Sequence, residues 1–254
     1  MADAAPKLRK ARPRPVPVVT IAAGPSEIAR LKTLATVMQK PRLKIVEAKQ
    51  GATADFTVTT AADGQGGARL FSEQLHIVAG PKIATLADLR GKVVSLGAEH
   101  SASQAAARKA LDAQGIKVAE TPLDPDNALD GLSTGDLDAV VLLAPQPDAR
   151  LAKLKGTSLH LVAWPQTATP PDGMTASTID AAAYPGLAGA GGKVAALGVD
   201  AVLAPGPKAR TQQAKAFLGA LSQHSAALSR RGFDLIRADL EQRGGRRVAN
   251  AEAR

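Results

Sequence analysis

From Asp88 onward the chain alternates short apolar runs with amphipathic runs of helical period, and this rhythm limits the possible fold more than any other feature. Val93–Leu96 reads as a buried strand, Ser103–Gln114 as a helix closed by Gly115, and Val118–Pro122 as a strand. Asp126–Leu132 follows as a short helix, Asp138–Leu143 as a strand, Asp148–Leu154 as a helix and Leu159–Ala163 as a strand. Such alternation predicts an α/β domain with a parallel sheet and helices on both faces. Ligands of open α/β sheets sit beyond the C-terminal ends of the strands, so the loops after the central strands are the places to look for function.

The chain before Asp88 is leaner. Residues 1–17 interleave basic residues with Pro13, Pro15 and Pro17, a composition expected to form an extended, disordered arm. Val18–Ala22 reads as a strand, Gly24-Pro25-Ser26 as a turn, and Ser26–Gln39 as a helix stopped by Pro41. Leu43–Glu47 and Asp55–Thr60 read as strands, with only Ala48–Ala54 between them. Parallel strands need a crossover of about a dozen residues or more, so either this pair is antiparallel or its crossover is reduced to a tight loop. A glycine-rich loop, Asp63–Gly67, precedes a fourth strand at Leu75–Ala79. After a proline-rich crossing at Thr167–Gly173 and a glycine-rich turn at Gly186–Gly192, Val194–Leu203 reads as a last strand. Helices at Ala209–Ser222 and about Ala226–Gln242 close the pattern.

Composition narrows the chemistry. Apolar residues make up 45% of the chain but aromatics only 2%, so the cores are expected to be built of Ala, Val and Leu. Cysteine is absent, which excludes disulfides, a thiol nucleophile and Cys-based metal sites. Of the net charge of +9, seven charges fall in residues 1–16 and 230–254, leaving only +2 for the body. No basic stripe with interleaved aromatics is visible, so no nucleic-acid partner is expected. His76, His160 and His224 are scattered without metal-ligand spacing, and no nucleophile-elbow, phosphate-loop or paired-acid signature stands at a strand end. The expectation is therefore no cofactor, no metal and no enzyme activity. No apolar run is long enough to span a bilayer, and the first residues carry no apolar signal core. They fit equally a cytosolic start or a mature exported chain cut after an Ala-x-Ala site.

Several segments in order resemble the TAXI type of periplasmic solute-binding protein, the receptor subunit of TRAP transporters. They are Leu86-Ala87-Asp88-Leu89-Arg90-Gly91-Lys92, Ser95-Leu96-Gly97 with Ser101, Leu111–Ile116, Leu132–Ala139, Pro145-Gln146-Pro147, Tyr184-Pro185 and Asp200–Leu203. The resemblance implies a type II periplasmic-binding-protein-like fold: two α/β lobes, a hinge and an interlobe cleft that closes over a solute. It implies residues 18–82 and 168–254 in a discontinuous first lobe and 83–167 in a second. It also implies a periplasmic location and membrane transporter subunits as partners; the solute itself is expected to be small, organic and anionic, carboxylates foremost, because the second helix opens on small hydroxyls just beyond a strand end. Two family features are missing, since the first turn, Ala22–Glu27, has no tyrosine and no helix separates the second and third strands. This reduction of the first lobe favours an alternative, a scaffold of the same fold that binds a partner protein or a larger apolar ligand.

The expected ligand-binding residues lie in the loops that follow the central strands: Gly24 and Ser26, Thr59 and Thr60, His100, Ser101 and Ser103, and Pro145 and Gln146. At the start of the second helix one serine is read as the N-cap and the other as a donor to an anion. A protonated His100 beside them would add to the hold on that anion. Tyr184 completes the set; with Trp164 it lies near the return crossing, placed either to stack on a ligand or to pack the hinge.

Overall fold

The computed structural model describes residues 18–39, 41–47, 53–60, 68–154, 158–187, 189 and 192–235. The basic N-terminal arm, the glycine-rich loop Asp63–Gly67 and residues 236–242 of the second expected terminal helix lie outside the described residues; where it is described, that helix ends at Ser229, well short of the expected span. The described chain contains ten strands: β1 (Val18–Ala23), β2 (Arg42–Glu47), β3 (Phe56–Thr60), β4 (Ala68–Ala79), β5 (Val93–Ser95), β6 (Ala119–Glu120), β7 (Ala139–Ala144), β8 (His160–Leu161), β9 (Met174–Asp180) and β10 (Lys193–Pro205). The helices are α1 (Pro25–Val37), α2 (Ala102–Ala113), α3 (Pro125–Thr134), α4 (Thr211–Gln223) and α5 (Ser225–Ser229). All strands join one sheet in the order β2-β1-β3-β10-β4-β7-β5-β6, with β8 added to β4 and β9 to β10.

β4 and β10 are long enough to serve two halves of the molecule. Ala68–Gln74 of β4 pairs with β10, and Gln74–Ala79 pairs with β7. Lys193–Val199 of β10 pairs with β9, and Ala201–Pro205 pairs with β3. The expected fourth strand starts at Leu75, but β4 starts seven residues earlier. Arg69, Ser72, Glu73 and Gln74 spoil the apolar pattern there, and a register shift at Ala201/Val202 breaks the alternation. β9 was not expected, because only Met174 and Ile179 of its seven residues are buried and its backbone is held by β10. The helix expected at Asp148–Leu154 is only a 3-10 turn, Leu151–Lys153. The Asp148 carboxylate accepts from the Arg150 and Leu151 N–H groups and so favours a turn.

β2 and β3 both run parallel to β1, one on either side of it. The crossover between them is therefore the tight-loop alternative, with eight residues between Glu47 and Phe56. Its landing is tied down by backbone bonds. The Asp55 carboxylate accepts from Thr20 N–H at 2.8 Å, and Asp55 N–H donates to Thr20 O at 3.0 Å. Gly206 N–H then donates to Asp55 O, and Lys208 N–H to Ala54 O. A Cβ on Gly206 would stand 2.4 Å from Ala54 O, so only glycine permits this approach.

Three cores fill the molecule. The first half is centred on Ile21, Leu31, Leu34, Phe56, Phe71, Phe217 and Leu221. It holds all four phenylalanines of the chain, in pairs at 5.0 Å (Phe56–Phe217) and 5.8 Å (Phe71–Phe233). Among the described residues α1, α4 and α5 all feed this one core. The second half is covered on both faces, as expected for an α/β sheet. α2 packs Ala106, Ala107 and Ala110 against Val94, Val141 and Leu75, while α3 packs Ala128, Leu129 and Leu132 against Val78, Val140 and Leu142. Met174, Ile179, Tyr184 and Leu197 also pack in these second-half cores. The expected lobe boundary at residue 168 thus falls well before the change of core, which lies within β10 between Val199 and Ala201.

Candidate functional site

The strand ends of both halves meet across the middle of β4 and β10. Thr60 ends β3 opposite Ala201, which lies opposite Phe71; Ala144 ends β7 opposite Gln74. α1 begins just after β1 and α2 just after β5, so both helix N-termini come to this line. Gly24 is the N-cap of α1, and Ser26 lies in its first turn. Thr59 Oγ1 is buried with no hydrogen-bond partner among the described residues, and Thr60 is buried.

At α2 the two serines divide their work. Ser101 is the N-cap and accepts from Gln104 N–H at 3.1 Å, leaving its own proton to donate. Ser103 Oγ accepts from Leu143 N–H at 3.1 Å and lies 3.2 Å from Leu96 O, so it stitches the first turn of α2 to the ends of β5 and β7. Its hydroxyl is committed to the fold, contrary to the expectation that it helps hold an anion. Gly97, at φ 114°, makes this possible, since a Cβ there would lie 2.9 Å from Ser101 Oγ. His100 adopts φ 60° and donates its N–H to Gln104 Oε1, while its imidazole is 88% exposed beside Glu99. Pro145 and Gln146 are half-buried after β7, with the Gln146–Pro147 peptide cis.

Tyr184 is fully buried. Its hydroxyl accepts from Asp148 N–H at 2.9 Å and donates to His76 Nε2 at 2.9 Å. That direction follows because His76 Nδ1 lies 3.0 Å from Gln74 O, a pure acceptor, and must carry the ring proton. Burial keeps the imidazole neutral and lowers its pKa to about 4, against partial support from that carbonyl. Tyr184 therefore fastens β4 to the turn after β7 and is not open to a solute. Trp164 packs in the α2-side core.

Sequence reasoning missed a set of buried charges at the same junction. Glu73, on β4, is 1% exposed and its Oε1 has no hydrogen-bond partner. Burial, then repulsion from Glu27, raises its pKa to about 8, offset in part by Arg30 and Arg150. Glu27 and Arg30 stand one turn apart on α1, and the Arg30 guanidinium lies 4.6 Å over the Phe71 ring. Burial lowers the pKa of Arg30. Asp148 and Arg150 form a two-pronged pair, Nη2–Oδ2 2.7 Å and Nε–Oδ1 3.1 Å. Burial would raise the Asp148 pKa, but Arg150 and the backbone N–H groups hold it below the usual range. The one signal for Glu73 is a lone acid within a stretch that continues as a strand. Two pockets of about 480 Å³ lie at the opposite ends of the second-half strands, beside Val93 and Asp138, and contain none of these residues.

The sequence matches no family model and no curated protein. Solved structures do resemble it. An ancestral arginine-binding protein bound to arginine is 15% identical, with a TM-score of 0.53 over 85% of this chain and 98% of that one. Protein AF1704 from Archaeoglobus fulgidus is 13% identical, with a TM-score of 0.52 over 88% and 80%. The GluR0 ligand-binding core from Nostoc punctiforme, in complex with L-glutamate, is 19% identical, with a TM-score of 0.50 over 87% and 100%. The chain has a type II periplasmic-binding-protein-like fold. In this fold β4 and β10 are the strands shared by two α/β halves, and the junction at Ser72–Gln74 and Gly198–Ala201 is the floor between them. At these identities the likeness is one of fold. Among the described residues no helix is long and apolar enough to cross a membrane, and no three metal-ligating side chains cluster.

Proposed function

We propose that the chain is a receptor for a small organic solute, which it holds by closing its two halves, without covalent chemistry. The observation that carries this reading is the convergence of two helix N-termini and four strand ends on one line across β4 and β10. Ser101, with a hydroxyl proton to donate at the start of α2, favours an anionic solute such as a carboxylate. The TAXI resemblance adds delivery to membrane transporter subunits in the periplasm. In this reading the first half spans β1 to the middle of β4 and returns from Ala201, and the second half holds the segment between.

Thermal unfolding against a panel of carboxylates, amino acids and phosphonates tests this. A solute at a hundred times its Kd stabilises by about 2.7 kcal/mol, a clear shift for a chain of this size. Ser101→Ala should then weaken the responding solute while leaving the fold intact. A panel without any shift would favour the second reading, a partner-binding scaffold. That reading draws on the eight-residue crossover and on the fact that, among the described residues, the helices of the first half all pack into one core.

A further inference from the structure

Glu73 sits midway along β4, and its neighbours on that strand place it between α1 and α2. Phe71, Glu73 and Leu75 share one face of the sheet, with Val199 opposite Glu73. α1 reaches this face at Phe71, where the Arg30 guanidinium lies 4.6 Å over the ring. α2 reaches it at Leu75, because Leu75 pairs with Leu143, whose N–H donates to Ser103 Oγ in the first turn of α2 at 3.1 Å. Glu73 is two residues from each of these contacts, about 7 Å along the strand. The other face is separately occupied, by Ser72 with Asp200 and by His76 with Tyr184. Glu73 is 1% exposed, and its Oε1 is fully buried without a hydrogen-bond partner. A lone buried carboxylate costs stability until a positive partner reaches it, and Arg30, the cation that α1 brings to this face, is turned onto the Phe71 ring.

We propose that Glu73 binds a cationic nitrogen of the solute, so that the site takes a zwitterion with its carboxylate at the start of α2 and its ammonium on Glu73. This rests on the receptor reading of the proposed function and names the class of solute. α1 belongs to the first half and α2 to the second, so the space over Glu73 lies between the halves, where a solute held by their closure would enter. An ammonium group brings the positive charge and the N–H donors that Glu73 Oε1 lacks. The Ser101 hydroxyl and the N-terminal dipole of α2 meet the opposite end of the same molecule. A solute with a carboxylate alone would leave Glu73 buried and unpartnered, and the site would reject it on that ground.

Matched probes that differ by one amino group test this on the full chain: leucine with isocaproate, aspartate with succinate, γ-aminobutyrate with butyrate, and the other common amino acids with their deaminated acids. Thermal unfolding screens each pair, and calorimetric titration gives the Kd of those that respond. The expected result is stabilisation by amino members and none by their partners. Glu73→Gln keeps the size of the side chain and removes its charge, and should weaken the responding amino member about thirtyfold or more while leaving the response to its deaminated partner unchanged. A Glu73 with a structural role alone would move both members alike. Glu73→Asp keeps the charge on a shorter stem and should retain the preference at lower affinity, and it decides the matter if Glu73→Gln does not fold. Deaminated acids that bind as well as their amino partners, or a preference that survives in Glu73→Gln, would overturn the assignment and leave the receptor reading in place. A panel silent in every member would overturn the receptor reading and this inference with it.

Discussion

Single residues at the junction carry opposite pH dependences. His76, lowered to about 4 by burial, binds fewer protons in the folded than in the unfolded chain between pH 4 and 6.5, so its contribution to stability is lost as pH falls through that window. Glu73, raised to about 8, binds more protons when folded between pH 4.5 and 8, so its contribution is lost as pH rises. Each approaches about 1.4 kcal/mol per pH unit, and between pH 4.5 and 6.5 the two largely cancel. Urea unfolding should therefore show stability flat over that range and falling from pH 6.5 to 8, whereas Glu73→Gln should rise to pH 6.5 and then level off. A wild-type curve that rises from pH 6.5 to 8 would contradict this assignment. Tyr184→Phe leaves the Asp148 N–H and His76 Nε2 without their shared partner and should cost about 1–3 kcal/mol, read as a lower urea midpoint with an unchanged slope. That one of Ser101 and Ser103 caps the alanine-rich helix was legible, and the structure assigns the cap to Ser101. The commitment of Ser103 was not, because its partners Leu96 and Leu143 belong to two strands that only the sheet brings together.

Elements with a clear period were legible to within a few residues: β1, α1, β2, β3, α2, α3 and β7 fall close to where their apolar spacing puts them. Those that missed are held by partners more than by their own pattern. β9 exposes most of its side chains and exists because β10 offers it a ladder, and the first part of β4 hides behind polar residues that pair across the sheet. The crossover from β2 to β3 belongs to the same scale. Its short span is workable because Asp55 and Gly206 lock its landing to β1 and to the end of β10. Gly206→Ala drives a methyl into Ala54 O and should lower the melting temperature by several degrees, about 1–3 kcal/mol. A substitution there that leaves the melting temperature unmoved would mean the landing is not fixed by that contact.

At the scale of the whole molecule, β4 and β10 pass through both halves, so neither half can unfold without fraying strands the other needs. The expected outcome is one cooperative transition: Trp164, the sole tryptophan and placed in the second-half core, should report the same urea midpoint by fluorescence as far-UV circular dichroism does for the whole chain. Separate midpoints would show the halves to be independent. Period and turn chemistry in the sequence determined an α/β sheet, the place of its helix N-termini and the absence of thiol chemistry, because these depend on neighbours a few residues apart. Only the tertiary structure decided that β2 and β3 are parallel, that Tyr184 is interior and that the change of core lies within β10. It alone buried Glu73 on β4 and joined Asp148 through Tyr184 to His76. Those outcomes depend on contacts between residues far apart in the chain, where burial and repulsion act through space and leave no periodic trace in the sequence.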